Sequence, residues 1–182
     1  RHIGWLEVEP AQINREDTIT APLQLLTVAT GGALVPVEGS QTEFTPLLQS
    51  TADSALVPSE RFTKLQDPEE LLQGFAPDAE VYTLAARLSG PAASAFPNGM
   101  EGREPGLKQA DNINVVLVAD TDMLTDRMWV QVQDLFGQRI SQPWADNGGL
   151  LVNALDNLSG SDALISVRSR GDFSRPFTVV EE

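Results

Sequence analysis

The sequence predicts an α/β domain with a mixed, mainly parallel sheet and flanking helices, flavodoxin-like or Rossmann-like in its C-terminal part. Residues 113–119, INVVLVA, form a continuous apolar run between turn-forming residues, which is typical of a central parallel strand covered on both faces. Residues 147–160 have the pattern of a helix, and residues 163–170, ALISVRSR, that of a further strand. A strand, an acidic turn, a helix and a strand in this order predict a right-handed crossover.

The helix is the clearest single element of the sequence. Asn147 can cap its first turn, and Gly160 stands where a helix commonly ends in the left-handed conformation. Between them, one apolar stripe is formed by Leu150, Leu151, Ala154, Leu155 and Leu158. This stripe predicts a helix that packs on the sheet along one face.

The elements predicted before residue 100 are shorter and are separated by polar stretches. Strands are predicted at 2–8 and 23–30, within 40–58, and at 80–90. A short helix is predicted at 68–75, because Pro68 suits a first turn and the two following glutamates lie at the positive end of the helix dipole. Residues 128–144 fit both strand and helix spacing, and the pattern favours an irregular hairpin that turns at Phe136-Gly137.

The length of 182 residues suits one domain, so we expect residues 1–182 to form one α/β domain. Because the chain begins at Arg1, we expect it to be a fragment of a larger protein. A change of character divides it into a mixed α/β part, 1–100, and a strand–helix–strand part, 101–182. Residues 90–111 contain three prolines and four glycines, which predicts a flexible loop.

Composition excludes several classes of function. The 12 Lys and Arg residues against 26 Asp and Glu give a net charge of -14, and no basic stripe is available for nucleic acid. The sequence has no cysteine, so disulfides, thiolate catalysis and cysteine-rich zinc sites are excluded. No window approaches 18 consecutive apolar residues and no signal-peptide pattern opens the chain.

The candidate site lies where the apolar run ends, in the sequence NVVLVADTDMLTD of residues 114–126. Asp120 and Asp122 have the D-x-D spacing of haloacid-dehalogenase-type phosphatases, in which one carboxylate attacks phosphorus and the second protonates the leaving group. Such enzymes need a downstream lysine, and no lysine follows residue 122. Asp120, Asp122 and Asp126 could also belong to a calcium loop of the EF-hand type, but this sequence lacks the central glycine and the terminal glutamate of such a loop. The pattern favours a structural role, in which both carboxylates accept backbone N–H groups at a turn and a ligand could bind only at the mouth of the strand.

Two amides extend this candidate site. Two carboxylates so close together repel each other unless backbone N–H groups or a neutral amide such as Asn147 or Asn153 share their charge. These four residues are therefore the predicted ligand-binding positions, at the mouth of the strand where open α/β sheets bind ligands. The only histidine, His2, lies at the edge of the chain and is poorly placed for catalysis. We predict no catalytic residue, no metal ligand and no cofactor.

A family resemblance rests on four segments. The segment NINVVLVADTDMLTDRMWV (112–130) resembles an apolar strand that ends in a G-D-x-D-F-like turn, with Ala119 in place of the Gly and Met123 in place of the aromatic residue. The segment NGGLLVNALDNLSGSDALISVRSRG (147–171) resembles the helix start and the following LISIRSR-like strand of the same family. INREDTITAPLQLLTVATGGAL (13–34) and FTPLLQST (44–51) resemble its middle section. The family is that of the substrate-binding-protein-like auxiliary components of gliding-motility-type (GldG-like) ABC transporters.

This resemblance implies a non-enzymatic auxiliary component with an ABC permease and ATPase as partners, acting through contacts with the permease or by holding a ligand. It implies a location on the extracytoplasmic, periplasmic side of the inner membrane, anchored by transmembrane helices outside the present chain. A link to gliding motility does not follow from it. The alternative is a metal-dependent phosphatase-like or metal-binding module that uses the Asp120/Asp122 turn.

Overall fold

The structure is a computed structural model that describes residues 3–63, 67–104, 106–135 and 138–160. Its strands are β1 (Trp5–Val8), β2 (Leu26–Ala29), β3 (Glu43–Gln49), β4 (Thr83–Ala93), β5 (Gln109–Val118), β6 (Val130–Leu135) and β7 (Gln138–Pro143). Its helices are α1 (Ser59–Thr63), α2 (Asp126–Trp129) and α3 (Asn147–Leu158), and short 3-10 helices lie at Pro10–Gln12 and Pro68–Leu72. None of the described helices is long and apolar enough to cross a membrane.

Most predicted elements are present at their expected positions. The predicted strands before residue 100 are confirmed by β1 to β4, and the short helix by the second 3-10 helix, whose N-cap Asp67 accepts a hydrogen bond from the backbone of Glu69. The hairpin predicted at 128–144 is confirmed by the pairing of β6 with β7. Its turn at Phe136-Gly137 and the strand predicted at 163–170 lie outside the described residues.

The predicted fold class is wrong. The described strands form three small antiparallel sheets, in the orders β1-β2, β3-β4-β5 and β6-β7, instead of a mainly parallel, flavodoxin-like or Rossmann-like sheet. Consecutive strands joined by a loop pair antiparallel, whereas parallel pairing needs a crossover segment. Here β4 is followed directly by β5, and β5 is followed by a short helix and a hairpin before α3 begins.

Among the described strands, the apolar run at 113–119 forms an edge strand and not a central one. β5 pairs with β4 on one side in the sheet order β3-β4-β5. Val116 and Val118 pack against the core, whereas Val115 and Leu117 on the alternate face are 37% and 38% exposed. An uninterrupted apolar run predicts that both faces are apolar, but it determines neither the direction of the strand nor its place in the sheet.

The hydrophobic core combines residues from both halves of the described chain. β1, β2, β3, β4 and α3 all contribute to it, through Val8, Ile13, Ile19, Leu23, Leu26, Val28, Leu47, Leu48, Leu84, Ala85, Met123, Leu150 and Ala154. β4 and β5 also pair across residue 100, the boundary of the predicted subdivision. The loop predicted at 90–111 is shorter than expected, because β4 extends to Ala93 and β5 begins at Gln109.

Helix α3 confirms the predicted helix but corrects its details. Gly160 has φ +83, as expected for a glycine that follows a helix end. Asn147 does not cap the helix: it is the first helical residue, and Asp146 occupies the N-cap position. The predicted stripe is only partly buried, since Leu150 and Ala154 lie in the core while the other three leucines are exposed.

Candidate functional site

The Asp120 turn is held by hydrogen bonds from backbone N–H groups. β5 ends where the N–H of Ala119 donates to the carbonyl of Leu84 at 2.9 Å. The next residue, Asp120, uses one carboxylate oxygen to accept the N–H of Ala29 at 2.7 Å and the other to accept the N–H of Asp122 at 2.7 Å. Both oxygens are thereby engaged by the backbone, which is the structural role that the sequence offered as an alternative to chemistry.

Asp120 is one of three side chains that satisfy the outer edge of β2. β1 pairs with one edge of β2, and the N–H groups of Leu25, Thr27 and Ala29 point to the other edge, because alternate residues of a strand donate to opposite sides. These three donors are accepted by Asp146 at 3.1 Å, Asn147 at 3.0 Å and Asp120 at 2.7 Å, in that order. Side chains from two distant segments therefore take the place of a neighbouring strand.

Asn147 is the central member of this set and is 0% exposed. Its carbonyl oxygen accepts the N–H of Thr27, and its amide donates to the carbonyl of Thr27 at 2.8 Å, as a paired strand residue would. The same amide donates to the carbonyl of Met123 at 2.7 Å and so ties α3 to the Asp120 turn. Every polar group of this buried side chain has a backbone partner.

The structure brings three of the four predicted site residues together. Asp120, Asp122 and Asn147 surround the 119–125 turn through the bonds given above. Asn153 lies apart, further along α3, where its buried amide donates to the carbonyl of Ile19 at 2.9 Å. In the described ranges, no group of three or more His, Asp or Glu side chains is arranged to hold a metal ion. A ligand-binding role for the four residues stays a prediction.

A cleft of about 410 Å³ lies on the other side of the segment that Asp120 holds. One wall is formed by the start of β1 and by residues 30–32, the other by residues 53–62 and 71–75. Eight apolar side chains line it: Ile3, Leu6, Ala55, Leu56, Val57, Phe62, Leu71 and Phe75. The volume lies in the range of small-molecule sites, which are mostly apolar with a few polar groups.

Both walls of the cleft are fixed by hydrogen bonds. Thr30 donates its N–H to the carbonyl of Gly4 at 2.6 Å, and Gly32 donates to the carbonyl of Ala119 at 2.7 Å. On the opposite wall, the carboxylate of Asp78 accepts the N–H of Leu56 at 3.0 Å and the hydroxyl of Tyr82 at 2.6 Å. The tyrosine bond and then the Leu56 bond lower the pKa of Asp78, and the same contact raises the pKa of Tyr82 to about 12.

Sequence reasoning did not find this cleft. The TGGA segment of residues 30–33 has no phosphate-loop pattern, and it forms a wall of the cleft and not a phosphate site. The residues of the opposite wall lie between β3 and β4, in loops and in two helices that are too short to show an apolar periodicity. The exposed apolar character of this stretch is visible only in the structure, where Leu56 is 61% exposed and Phe75 is 37% exposed.

Helix α3 presents a second apolar surface, here named the α3 outer face. It consists of Leu151, Val152, Leu155 and Leu158, which are 42%, 41%, 58% and 46% exposed. The only charged residue of the helix is Asp156, next to Val152 in the helical spacing. Trp129 continues this surface towards the helix start, since its ring lies where a side chain on Gly148 would be, 2.6 Å from the ideal Cβ position.

Comparison with known proteins identifies the family of the chain. No match was found among curated proteins, and none among solved structures. One family model, described as an ABC-type uncharacterized transport system, matches residues 1–154 and so spans β1 to β7 and the first two turns of α3. The chain therefore belongs to this family of ABC transport auxiliary proteins.

Proposed function

We propose that the chain is a non-enzymatic, substrate-binding-like auxiliary component that works by contact with the permease of its ABC transport system. The observation that supports this proposal most directly is the α3 outer face. Membership of the auxiliary family suggests an association with transporter components, and an exposed apolar helix face is a physical means of making one.

The spacing of the α3 outer face suits a protein contact. Leu151, Leu155 and Leu158 follow one another at intervals of four and three residues, so they form one continuous ridge along the helix. The adjacent side of α3 is anchored in the core through Leu150 and Ala154. A ridge held on a rigid helix can enter a groove of a partner without reorganising, which lowers the entropic cost of binding.

The chemistry of the turn gives no support to the phosphatase-like or metal-binding alternative. Both oxygens of Asp120 accept backbone donors, so a nucleophilic or metal-bound role would compete with those bonds for the same oxygens. The carboxylate of a nucleophile needs a free oxygen directed at the substrate. We therefore place the function at the surface of the molecule and not at this turn.

We also propose the location that the family resemblance implies. A substrate-binding-like auxiliary component would lie on the extracytoplasmic side of the membrane, held by transmembrane helices outside the present chain. Protease treatment of spheroplasts tests this directly. Degradation of the full-length protein in intact spheroplasts is expected, and protection from the protease until the cells are lysed would contradict the location.

Co-purification tests the proposed contact. The full-length protein is expressed with its permease and ATPase, and the permease recovered with it is compared for the wild type and for the double variant Val152→Gln, Leu155→Gln. We expect a loss of about tenfold or more, because burying an unpaired amide in an apolar interface costs about 1–3 kcal/mol, and about 1.4 kcal/mol corresponds to a tenfold change in affinity. The matched control is Val35→Gln, Val37→Gln, at side chains that are 77% and 78% exposed elsewhere on the surface.

Two results would contradict the proposal. The first is undiminished recovery of the permease with the α3 variant. The second is a clear loss of thermal stability of the isolated full-length protein in the α3 variant but not in the control, since that would show that the face is covered by another part of the same chain.

A further inference from the structure

We propose that the cleft beside residues 30–32 binds a small, mainly apolar molecule that carries one positive charge, such as an amphipathic amine. This site is distinct from the α3 outer face and goes beyond the proposed contact with the permease. The proposal rests on the shape of the cleft, on the fixing of its walls and on the charge around its mouth.

The lining of the cleft selects an apolar ligand. Leu71, at 2% exposed, is buried among the residues that line it, and Leu56 and Phe75 present apolar surface to solvent. Removing such surface from water stabilises a complex by about 25 cal/mol per Å². A ligand with an aliphatic or aromatic body would cover these side chains, whereas a small, fully polar ligand would leave them uncovered.

The walls are pre-formed, so binding would not have to order them. Asp78 holds the backbone of Leu56 and, through its own N–H, the carbonyl of Ser54 at 2.9 Å. On the other wall, Asp120 and Ala119 hold the chain before and after Thr30. Thr30 has φ +51, a left-handed conformation that is costly for a β-branched residue and that these bonds maintain. A strained residue in a fixed wall is a frequent feature of ligand sites.

The charge around the cleft determines which sign of charge is favoured on the ligand. Asp53 lines the cleft itself. Between residues 53 and 80 the sequence carries the acidic residues Asp53, Glu60, Asp67, Glu69, Glu70, Asp78 and Glu80, against only Arg61 and Lys64. Arg61 donates to the backbone carbonyl of Glu70 at 3.1 Å, so its positive charge stays at this segment and offsets only part of the negative charge. The local excess of negative charge favours a cation over an anion at the mouth of the cleft.

The test uses three probes that share an eight-carbon body and differ in charge: octylamine, octanol and octanoate. Each is titrated into the chain of 182 residues, and backbone amide shifts are followed by NMR. We expect saturable shifts at Gly31, Gly32 and Leu56, with octylamine binding about two- to fivefold more tightly than octanol at low salt, the range for an exposed charge pair, and octanoate most weakly.

Two pairs of variants separate the two parts of the proposal. Asp53→Asn should abolish the advantage of octylamine over octanol, whereas Asp134→Asn, an equal charge change on the distant β6, should preserve it. Ala55→Phe enlarges a side chain that lines the cleft and should abolish saturable binding of every probe, whereas Ala95→Phe, at an exposed position beyond β4, should not.

The proposal is overturned if no probe gives saturable shifts at the cleft, if the shifts appear on α3 instead, or if Ala55→Phe binds all three probes as the wild type does. Equal affinity for octylamine and octanoate would overturn the assigned charge. None of these results depends on the permease, so failure of this proposal and failure of the α3 contact can be distinguished.

Discussion

At the scale of single residues, Asp120 links the end of β5 to the end of β2 through its bond to Ala29. Replacing it with Ala removes the acceptor of two backbone donors, those of Ala29 and Asp122. We expect the free energy of unfolding to fall by about 1–3 kcal/mol, the cost of leaving partly buried donors unpaired. The loss should be the same with magnesium, with calcium and with a chelator, as measured by thermal unfolding.

Asp122→Ala is the control for that measurement. Among the described residues, the hydrogen bonds of Asp122 are made by its backbone, whose carbonyl accepts the N–H and the hydroxyl of Thr125. Its replacement should therefore have little effect on stability. If millimolar metal stabilised the wild type but not the Asp120 variant, the turn would be a metal site and the structural interpretation would fail.

Asn147 tests how much the stability of the fold depends on one buried, neutral amide. Replacing it with Asp retains the shape of the side chain but removes the donor to the carbonyls of Thr27 and Met123, and it places a carboxylate at a fully buried position. We expect a loss of about 3 kcal/mol or more in urea unfolding. The matched change Asn112→Asp should be nearly neutral, because that side chain is exposed and only accepts, from the N–H of Gly90. Equal losses in both variants would contradict the special role of Asn147.

At the scale of elements, two adjacent glycines of α3 differ in the space that they leave for a side chain. A Cβ on Gly148 would lie 2.6 Å from the ring of Trp129, whereas a Cβ on Gly149 would make an ordinary contact with Leu23 at 3.4 Å. Both changes to Ala gain the same helix propensity, so this contribution cancels between them. We expect Gly148→Ala to be less stable than Gly149→Ala by about 1–3 kcal/mol, the usual cost of overpacking.

The free energy of urea unfolding of the two variants checks this comparison. A displaced Trp129 should also change the tryptophan fluorescence of Gly148→Ala and leave that of Gly149→Ala unaltered. Equal stability and equal spectra would show that the ring does not pack on the helix backbone.

Local patterns in the sequence predicted elements better than their arrangement. Apolar runs and turn residues located the strands and α3, because these signals depend on near neighbours. The direction of β5 and the exposure of Leu155 depend on which segments meet in space. The candidate residues show the same limit: Asp120 was identified at the end of its strand, but its partner Ala29 lies 91 residues away in sequence. The cleft is not predicted because its residues come from loops and short elements that are far apart in the sequence.

At the scale of the whole molecule, one ion pair joins four parts of the described chain. Arg87 of β4 forms two hydrogen bonds to Asp17, at 2.6 and 2.9 Å, with both side chains at most 14% exposed. The same guanidinium donates to Asn114 of β5 at 2.6 Å and to Asn157 of α3 at 3.0 Å. The loop after β1, two strands and α3 are thus fixed to one another by a single cation.

This pair predicts a specific response to acid. Burial raises the pKa of Asp17, but hydrogen bonds from Arg87 and from the N–H of Ile19, with the charge of Arg87, together bring that pKa below its ordinary value of 3.8. A carboxyl with a lowered pKa in the folded state contributes stability above its unfolded pKa and loses it as the pH falls through its folded pKa. The wild type should therefore lose this contribution below about pH 4.

Asp17→Asn tests the response. It should lower the free energy of unfolding by about 3 kcal/mol at neutral pH, since it leaves Arg87 largely buried without its carboxylate, and its stability should depend less on pH below about pH 4 than that of the wild type. Urea unfolding across the acid range measures both effects, with Asp134→Asn at an exposed position of β6 as the control. Stability profiles of wild type and Asp17→Asn that stay parallel down to acid pH would contradict the contribution of the ion pair, because the difference between them must narrow as Asp17 becomes protonated.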